Sequence, residues 1–189
     1  MLIAERTGQE FLALWEVPEP TVVVGRSAMI GLEANADTCE AEQIPILRRQ
    51  SGGGAVVLAA GCLNYSVILN LDKRPPLRDV QHSYGIILGS ILSAAGLPGA
   101  RQTGNDLTIG GRKFGGCSQK RTRSAVLHHG TILYDFDPAL AERYLPEPRR
   151  RPEYRGSRTH RDFLTNIRLS DAFAERLAAQ YPSEMVLAA

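Results

Sequence analysis

No apolar run in the 189 residues approaches the roughly 20 that a bilayer-spanning helix requires. The opening Met1-Leu2-Ile3-Ala4-Glu5-Arg6 also lacks the long apolar core of a secretory signal. The expectation is a cytoplasmic chain with no membrane contact. Cysteine is scarce as well: Cys39, Cys62 and Cys117 stand far apart with no CxxC pair, which argues against a zinc site or a disulfide framework and assigns no metal ligands. A strong charge of either sign is missing too. The net charge is +2 and the pI is near 8.5, short of the basic footprint, above about 9, that usually marks a nucleic-acid-binding domain; no nucleic-acid partner is required. Lysine is the rarest cation. Of 22 Lys and Arg residues only Lys73, Lys113 and Lys120 are lysine, so each invites the question of why arginine would not serve.

What is present fits one domain over residues 1–189, with 43% hydrophobic and 22% charged residues and an Arg/Pro-rich segment at 146–161. Phe11 to Glu16 and Thr21 to Val24 are rich in β-formers, and the Pro18-Glu19-Pro20 break between them predicts a hairpin. Asn35 to Gln43 reads as a short surface helix. Ile46 to Arg49, Gly54 to Leu58 and Leu63 to Leu71 read as strands, the last alternating through Leu63, Tyr65, Val67, Leu69 and Leu71. From Val80 to Ala95 the apolar spacing is that of an amphipathic helix capped by Asp79 and ended by Gly96. Gly110-Gly111 predicts a tight hairpin that delivers Lys113. Ala125 to Phe136 is a further strand region, Asp137-Pro138 a helix start and Ser170 to Gln180 a last short helix. Hairpins with helices gathered elsewhere predict an α+β fold with a mainly antiparallel sheet.

Three segments carry chemistry. In Arg48-Arg49-Gln50-Ser51-Gly52-Gly53-Gly54-Ala55, consecutive glycines supply no packing, so they are expected where a ligand approaches the main chain or where positive φ exposes N–H groups as an anion nest. The two arginines would add forked donors, against the plainer reading of a flexible hairpin turn. In Asn105-Asp106-Leu107-Thr108-Ile109-Gly110-Gly111-Arg112-Lys113-Phe114-Gly115-Gly116, the far strand delivers an ammonium that can bridge two oxygens, with glycines leaving room beside it. In Leu127-His128-His129-Gly130-Thr131, neighbouring histidines on a strand point to opposite faces and cannot chelate one ion; one turned inward as a hydrogen-bond partner is the better reading. Cys117 would be a nucleophile only if its pKa were lowered. Arg149, Arg150, Arg151, Arg155, Arg158 and Arg161 read most simply as a solvated face and next as a docking patch for an acidic partner.

Together these segments resemble the lipoate–protein ligase A branch of the biotin/lipoate protein ligase superfamily. The residues carrying the resemblance are Arg48-Arg49-x-x-Gly52-Gly53-Gly54-Ala55-Val56, Gly61-x-x-Asn64-x-Ser66, Asn105-Asp106-Leu107, Gly111-Arg112-Lys113-Phe114-x-Gly116 and His128-His129-Gly130-Thr131-Ile132-Leu133, in the family's order. The resemblance covers about residues 11 to 145. It implies a mixed, mainly antiparallel sheet flanked by helices, as in the catalytic domains of class II aminoacyl-tRNA synthetases and biotin ligases. It also implies ATP with Mg2+, lipoate or octanoate as the acid, and transfer of the acyl group to a lysine of a lipoyl carrier domain through an acyl-adenylate. By position, Arg49, Ser51, Gly52, Gly53, Gly54, Asn64, Asn105, Asp106, Gly116 and His129 would line the nucleotide and acyl site, and Lys113 would be catalytic. Leu58-Ala59 stands where many ligases carry His-Asp, the N-terminal helix is expected to be missing or reduced, and the small C-terminal accessory domain does not follow before Ala189, so a separate accessory subunit is a further implied partner. The runner-up activities are an ATP-independent transferase acting through a cysteine thioester, for which Cys117 would be the substitute nucleophile, and a non-catalytic binding module of the same fold.

Overall fold

The computed structural model describes residues 1–149 and 151–181, together with the backbone of Val186–Ala188. The main sheet runs in the order β10-β1-β5-β9-β8-β7-β6, with β1 at Phe11–Trp15, β5 at Cys62–Asn70, β6 at Arg101–Thr103, β7 at Asp106–Ile109, β8 at Arg112–Arg121, β9 at Ala125–Leu133 and β10 at Val186–Ala188. Its neighbours are antiparallel except β1 and β10. A second sheet has the order β3-β2-β4, with β2 at Thr21–Val24, β3 at Ile46–Arg48 and β4 at Ala55–Leu58. β2 is parallel to β3 and antiparallel to β4. This is the α+β arrangement expected, divided between two sheets.

The larger core lies where helix α4, Val80–Ala95, covers the main sheet. Its Ile87, Leu88 and Ile91 are fully buried with Val67, Leu69, Leu107, Phe114 and Val126, each such side chain contributing about 1.5–3 kcal/mol of burial. The helix begins where Asp79 Oδ1 accepts from the His82 N–H at 2.6 Å and ends at Gly96, whose φ of 63° is the left-handed conformation that suits glycine. Helix α7, Phe173–Ala178, adds Phe173 and Leu177 to this core. The second core joins Val22, Val24, Val57 and Leu58 to Cys39 of helix α3, Ala36–Ala41, and to Ala141 and Tyr144 of helix α5, Pro138–Tyr144. Ala59 is thus packed in this core, and Leu58 lies at its edge. The N-terminal helix α1 is present but reduced to Leu2–Thr7.

Two expectations fail. β1 and β2 do not form a hairpin: they lie in different sheets, and the linker carries two prolines, whose nitrogens cannot donate to close a tight turn. Nor is the Arg-rich segment a solvated face throughout. Arg149, Arg151 and Arg161 are exposed, and Arg150 lies outside the described residues, but Arg155 is 4% exposed. Its Nη2 donates to Glu147 at 2.9 Å and its Nε to Arg158 O at 3.0 Å. The guanidinium carbon sits 4.9 Å from the ring centre of Phe163 in helix α6, His160–Phe163. Arg158 donates to Gly111 O at 2.9 Å, tying the segment to the β7–β8 turn. Main-chain carbonyls left over by irregular backbone need buried donors, and a guanidinium supplies several in a fixed fork.

Candidate active site

The glycine-rich turn is a crossover rather than a hairpin. Because β3 and β4 both pair with β2 and not with each other, residues 49–54 pass over the end of β2, where Arg26 N donates to Ser51 O at 2.8 Å and Gly25 N to Gly54 O at 3.1 Å. The approach is close enough that a β-carbon on Gly25 would lie 1.9 Å from Gly53 O, and Gly53 itself has φ +96°. Only glycine suits either position.

Both arginines leading into the turn donate to protein oxygens, Arg49 from all three nitrogens and Arg48, which also lines the cavity, from Nη1 alone. Arg48 Nη1 reaches the carbonyls of Gly25, Arg26 and Ala28 at 2.7–3.1 Å, so it orders the following loop. Arg49 donates from Nε to Ser51 Oγ at 3.1 Å, from Nη1 to Val23 O at 3.1 Å and from Nη2 to Gly52 O at 2.6 Å. It props the turn from below instead of presenting a free fork.

Opposite the turn, β7 and β8 place Lys113 Nζ 2.7 Å from Asp106 Oδ1. The pairing depends on a bulge: the register runs Leu107 with Gly115 and then Thr108 with Lys113, leaving Phe114 as the extra residue. Strand alternation would put Lys113 on the face of Gly115, against the core; the inserted residue moves it to the face of Gly116 and Asp106. The other Asp106 oxygen accepts from the Tyr154 hydroxyl at 2.7 Å. The lysine backbone is fixed as well, Thr165 N donating to Lys113 O at 2.9 Å.

The adjacent histidines take opposite faces. His128 is fully buried beneath Tyr65 and Tyr84, accepts at Nδ1 from Gln119 Nε2 at 3.0 Å, and is pushed down to about 3 by burial and by His129. His129 faces the turn, its Nε2 2.6 Å from Ser51 Oγ; burial and the Arg49 charge push it down to about 4. Both rings are neutral near pH 7. The Cys117 thiol donates to Asn105 O at 3.1 Å and is pushed up to about 12 by burial and by Asp106, the opposite of an activated nucleophile.

These groups enclose one cavity of about 770 Å³. Arg49, Gly52, Gly53, Gly54, Asn64, Asn105, Asp106, Lys113, Gly116, Cys117 and His129 all line it; Ser51, 1% exposed, stands just behind, bonded to His129. An apolar part built from Trp15, Val17, Val23, Val56 and Leu58 continues the polar one. Sequence reasoning missed these apolar walls, which come from strands of both sheets, and it missed Tyr154, which lies 48 residues from its partner in a segment without periodicity. Among the described residues no group of three or more His, Cys, Asp or Glu is placed to hold a metal ion.

The lipoyl protein ligase A/B catalytic domain matches residues 2–181. The chain belongs to that family. A lipoate-protein ligase A of Psychrobacter cryohalolentis is 34% identical over 138 residues, covering 72% of this chain and 39% of the relative. A lipoate–protein ligase of Streptococcus pyogenes is 30% identical over 164 residues, covering 86% and 46%. The chain thus spans less than half the length of these ligases. Among solved structures, a bi-partite lipoate protein ligase from Thermoplasma acidophilum, described with its E2 lipoyl domain, superposes with a TM-score of 0.78 at 21% identity, covering all of this chain and 80% of the other. A lipoate-protein ligase A bound with ATP superposes equally well at 19% identity. The fold is that of the lipoyl ligase catalytic domain, and no helix among the described residues is long and apolar enough to cross a membrane.

Proposed function

We propose that the chain is a single catalytic domain that activates lipoate or octanoate with ATP and passes the acyl group to a lysine of a lipoyl carrier domain. One observation carries the reading: a single lysine ammonium stands in a cavity between a glycine-rich turn and Asn105-Asp106, with an apolar extension suited to an acyl chain. The acid's carboxylate oxygen attacks the α-phosphorus of ATP and pyrophosphate leaves. The carrier amine then attacks the acyl carbon, loses a proton, and AMP leaves. In both steps negative charge grows on oxygens that Lys113 reaches from Asp106, and one well-placed donor in a water-poor site is worth about 3–4 kcal/mol. The turn N–H groups would cradle the anion, while Arg49, Ser51 and neutral His129 keep the turn rigid, which preserves that donor geometry. Both oxygens of Asp106, the one carboxylate lining the cavity among the described residues, are bonded to Lys113 and Tyr154, so magnesium would enter as the triphosphate's own counter-ion, held by phosphate oxygens and water, and would offset phosphate charge.

The bi-partite fold neighbour, described with its E2 lipoyl domain, supports an accessory chain as a second partner. The deciding assay gives the chain a lipoyl carrier domain with either lipoate plus ATP, or an octanoyl carrier protein without ATP, and reads the carrier's mass. Modification in the first arm is expected. Modification in the second alone, abolished by Cys117→Ser, would replace the ligase reading with a thioester transferase; modification in neither arm, with an accessory chain supplied, would leave a binding module.

A further inference from the structure

Asp106 is bonded on both oxygens, to Lys113 through Oδ1 and to Tyr154 through Oδ2, each at 2.7 Å. Its side chain is 16% exposed, so a carboxylate oxygen deprived of its partner there has little water to turn to. Tyr154 reaches it from a segment held on two sides. Its ring packs 5.2 Å from that of Phe163, and Arg158 binds both the Tyr154 carbonyl and Gly111 O in the turn between β7 and β8. The phenol is pushed upward by burial and by Asp106, so it remains a donor throughout the working range.

We infer that Tyr154 is a positioning residue that holds the second oxygen of Asp106, so that Lys113 is aimed into the cavity by one oxygen without being clamped by two. Lys113 must leave Asp106, at least in part, to meet ligand oxygens. A hydrogen bond from a neutral donor to a carboxylate spreads its charge and fixes its plane. Without that bond, Oδ2 is a buried unpaired acceptor, and the nearest donor already bound to the same carboxylate is the Lys113 ammonium. The lysine is then held more tightly and is less available. The inference rests on the ligase reading for its catalytic consequence, but not for its effect on Lys113.

Tyr154→Phe removes only the hydroxyl and tests both. With three lysines in the chain, the reactivity of each with an acetylating succinimidyl ester can be followed by peptide mass spectrometry. The variant should label Lys113 several-fold more slowly than the parent, with Lys73 and Lys120 unchanged. In adenylate formation its kcat should fall about tenfold, equivalent to roughly 1.4 kcal/mol, with KM for ATP within about twofold, because charge stabilisation in the transition state is lost while ground-state binding is kept. In an Asp106→Asn background the same change should add nothing. Unchanged or faster labelling of Lys113 in Tyr154→Phe overturns the inference, as do losses that simply add in the double variant. Should the parent form no adenylate with its partners supplied, the ligase reading falls and the labelling comparison still decides the role of Tyr154.

Discussion

Gly116 and Lys113 share one small volume: a β-carbon added at Gly116 would lie 2.7 Å from Lys113 Nζ and 3.1 Å from Asp106 Oδ1. Gly116→Ala should therefore displace the end of a flexible side chain, leaving Tm within a few degrees while lowering the rate of carrier acylation at least about tenfold, roughly 1.4 kcal/mol. Gly115→Ala is the contrasting case, since its β-carbon would lie 2.5 Å from the backbone oxygen of Thr131. There the sheet itself must move, and Tm is expected to fall. Calorimetry with the carrier assay separates the two; equal loss of stability in both would refute this account of Gly116.

Replacing Lys113 should remove most activity with Ala and with Arg alike, because the planar guanidinium is too large for the space between Asp106 and Gly116. Folding should be intact by circular dichroism. More than about a tenth of the parent rate in either variant, a loss of less than roughly 1.4 kcal/mol, rejects the role.

Cys117→Ser should retain activity within about threefold, under 1 kcal/mol, since the thiol is half-buried, bonded to Asn105 O and protonated. An acylated parent enzyme detected by mass spectrometry, and missing in the variant, would be the contrary result.

His128 and His129 have folded-state pKa values of about 3 and about 4, below the unfolded value of about 6.5. Between these limits the unfolded chain binds protons that the folded chain does not, so stability rises with pH through that window and is lost as pH falls from about 6.5 toward 4. Well above about 6.5 both rings are neutral in both states and contribute no slope. Thermal melts from pH 7.5 to 4 should show the fall, and His128→Gln should lower Tm at pH 7 yet flatten the curve. A slope unaltered by this substitution would assign the acid sensitivity to other groups.

Reversing Arg155 to Glu should cost stability as well as activity. The change puts a carboxylate beside Glu147 and takes a cation from the face of Phe163, whereas Arg161→Gln, at a 64% exposed side chain that meets Glu142 only at 3.6 Å, should leave Tm nearly unchanged. A carrier KM effect of Arg155→Glu with unaltered Tm would restore the docking-face reading that the burial of Arg155 argues against.

The sequence by itself determined the local devices. The Asp79 cap, the Gly96 stop, the alternation of β5 and the Gly110-Gly111 turn all depend on contacts within a few residues, and each was legible from side-chain chemistry and spacing. In the candidate site, the glycine turn and Lys113 stood out because glycines and a rare lysine are costly or unusual where packing alone is served, whereas Asn64, Asn105 and Asp106 were assigned through the family resemblance. Tertiary structure decided the rest. Pairing of β2 with β3 and β4, which dissolved the expected β1–β2 hairpin, is a choice among partners distant in the chain. The bulge at Phe114, which carries Lys113 to the cavity face, follows from the register of two paired strands. Burial of Arg155, and the reach of Tyr154 to Asp106, depend on where a loop without periodicity is laid down. Such long-range pairings set which face a side chain takes and whether a charge meets water or protein, and local sequence does not encode either.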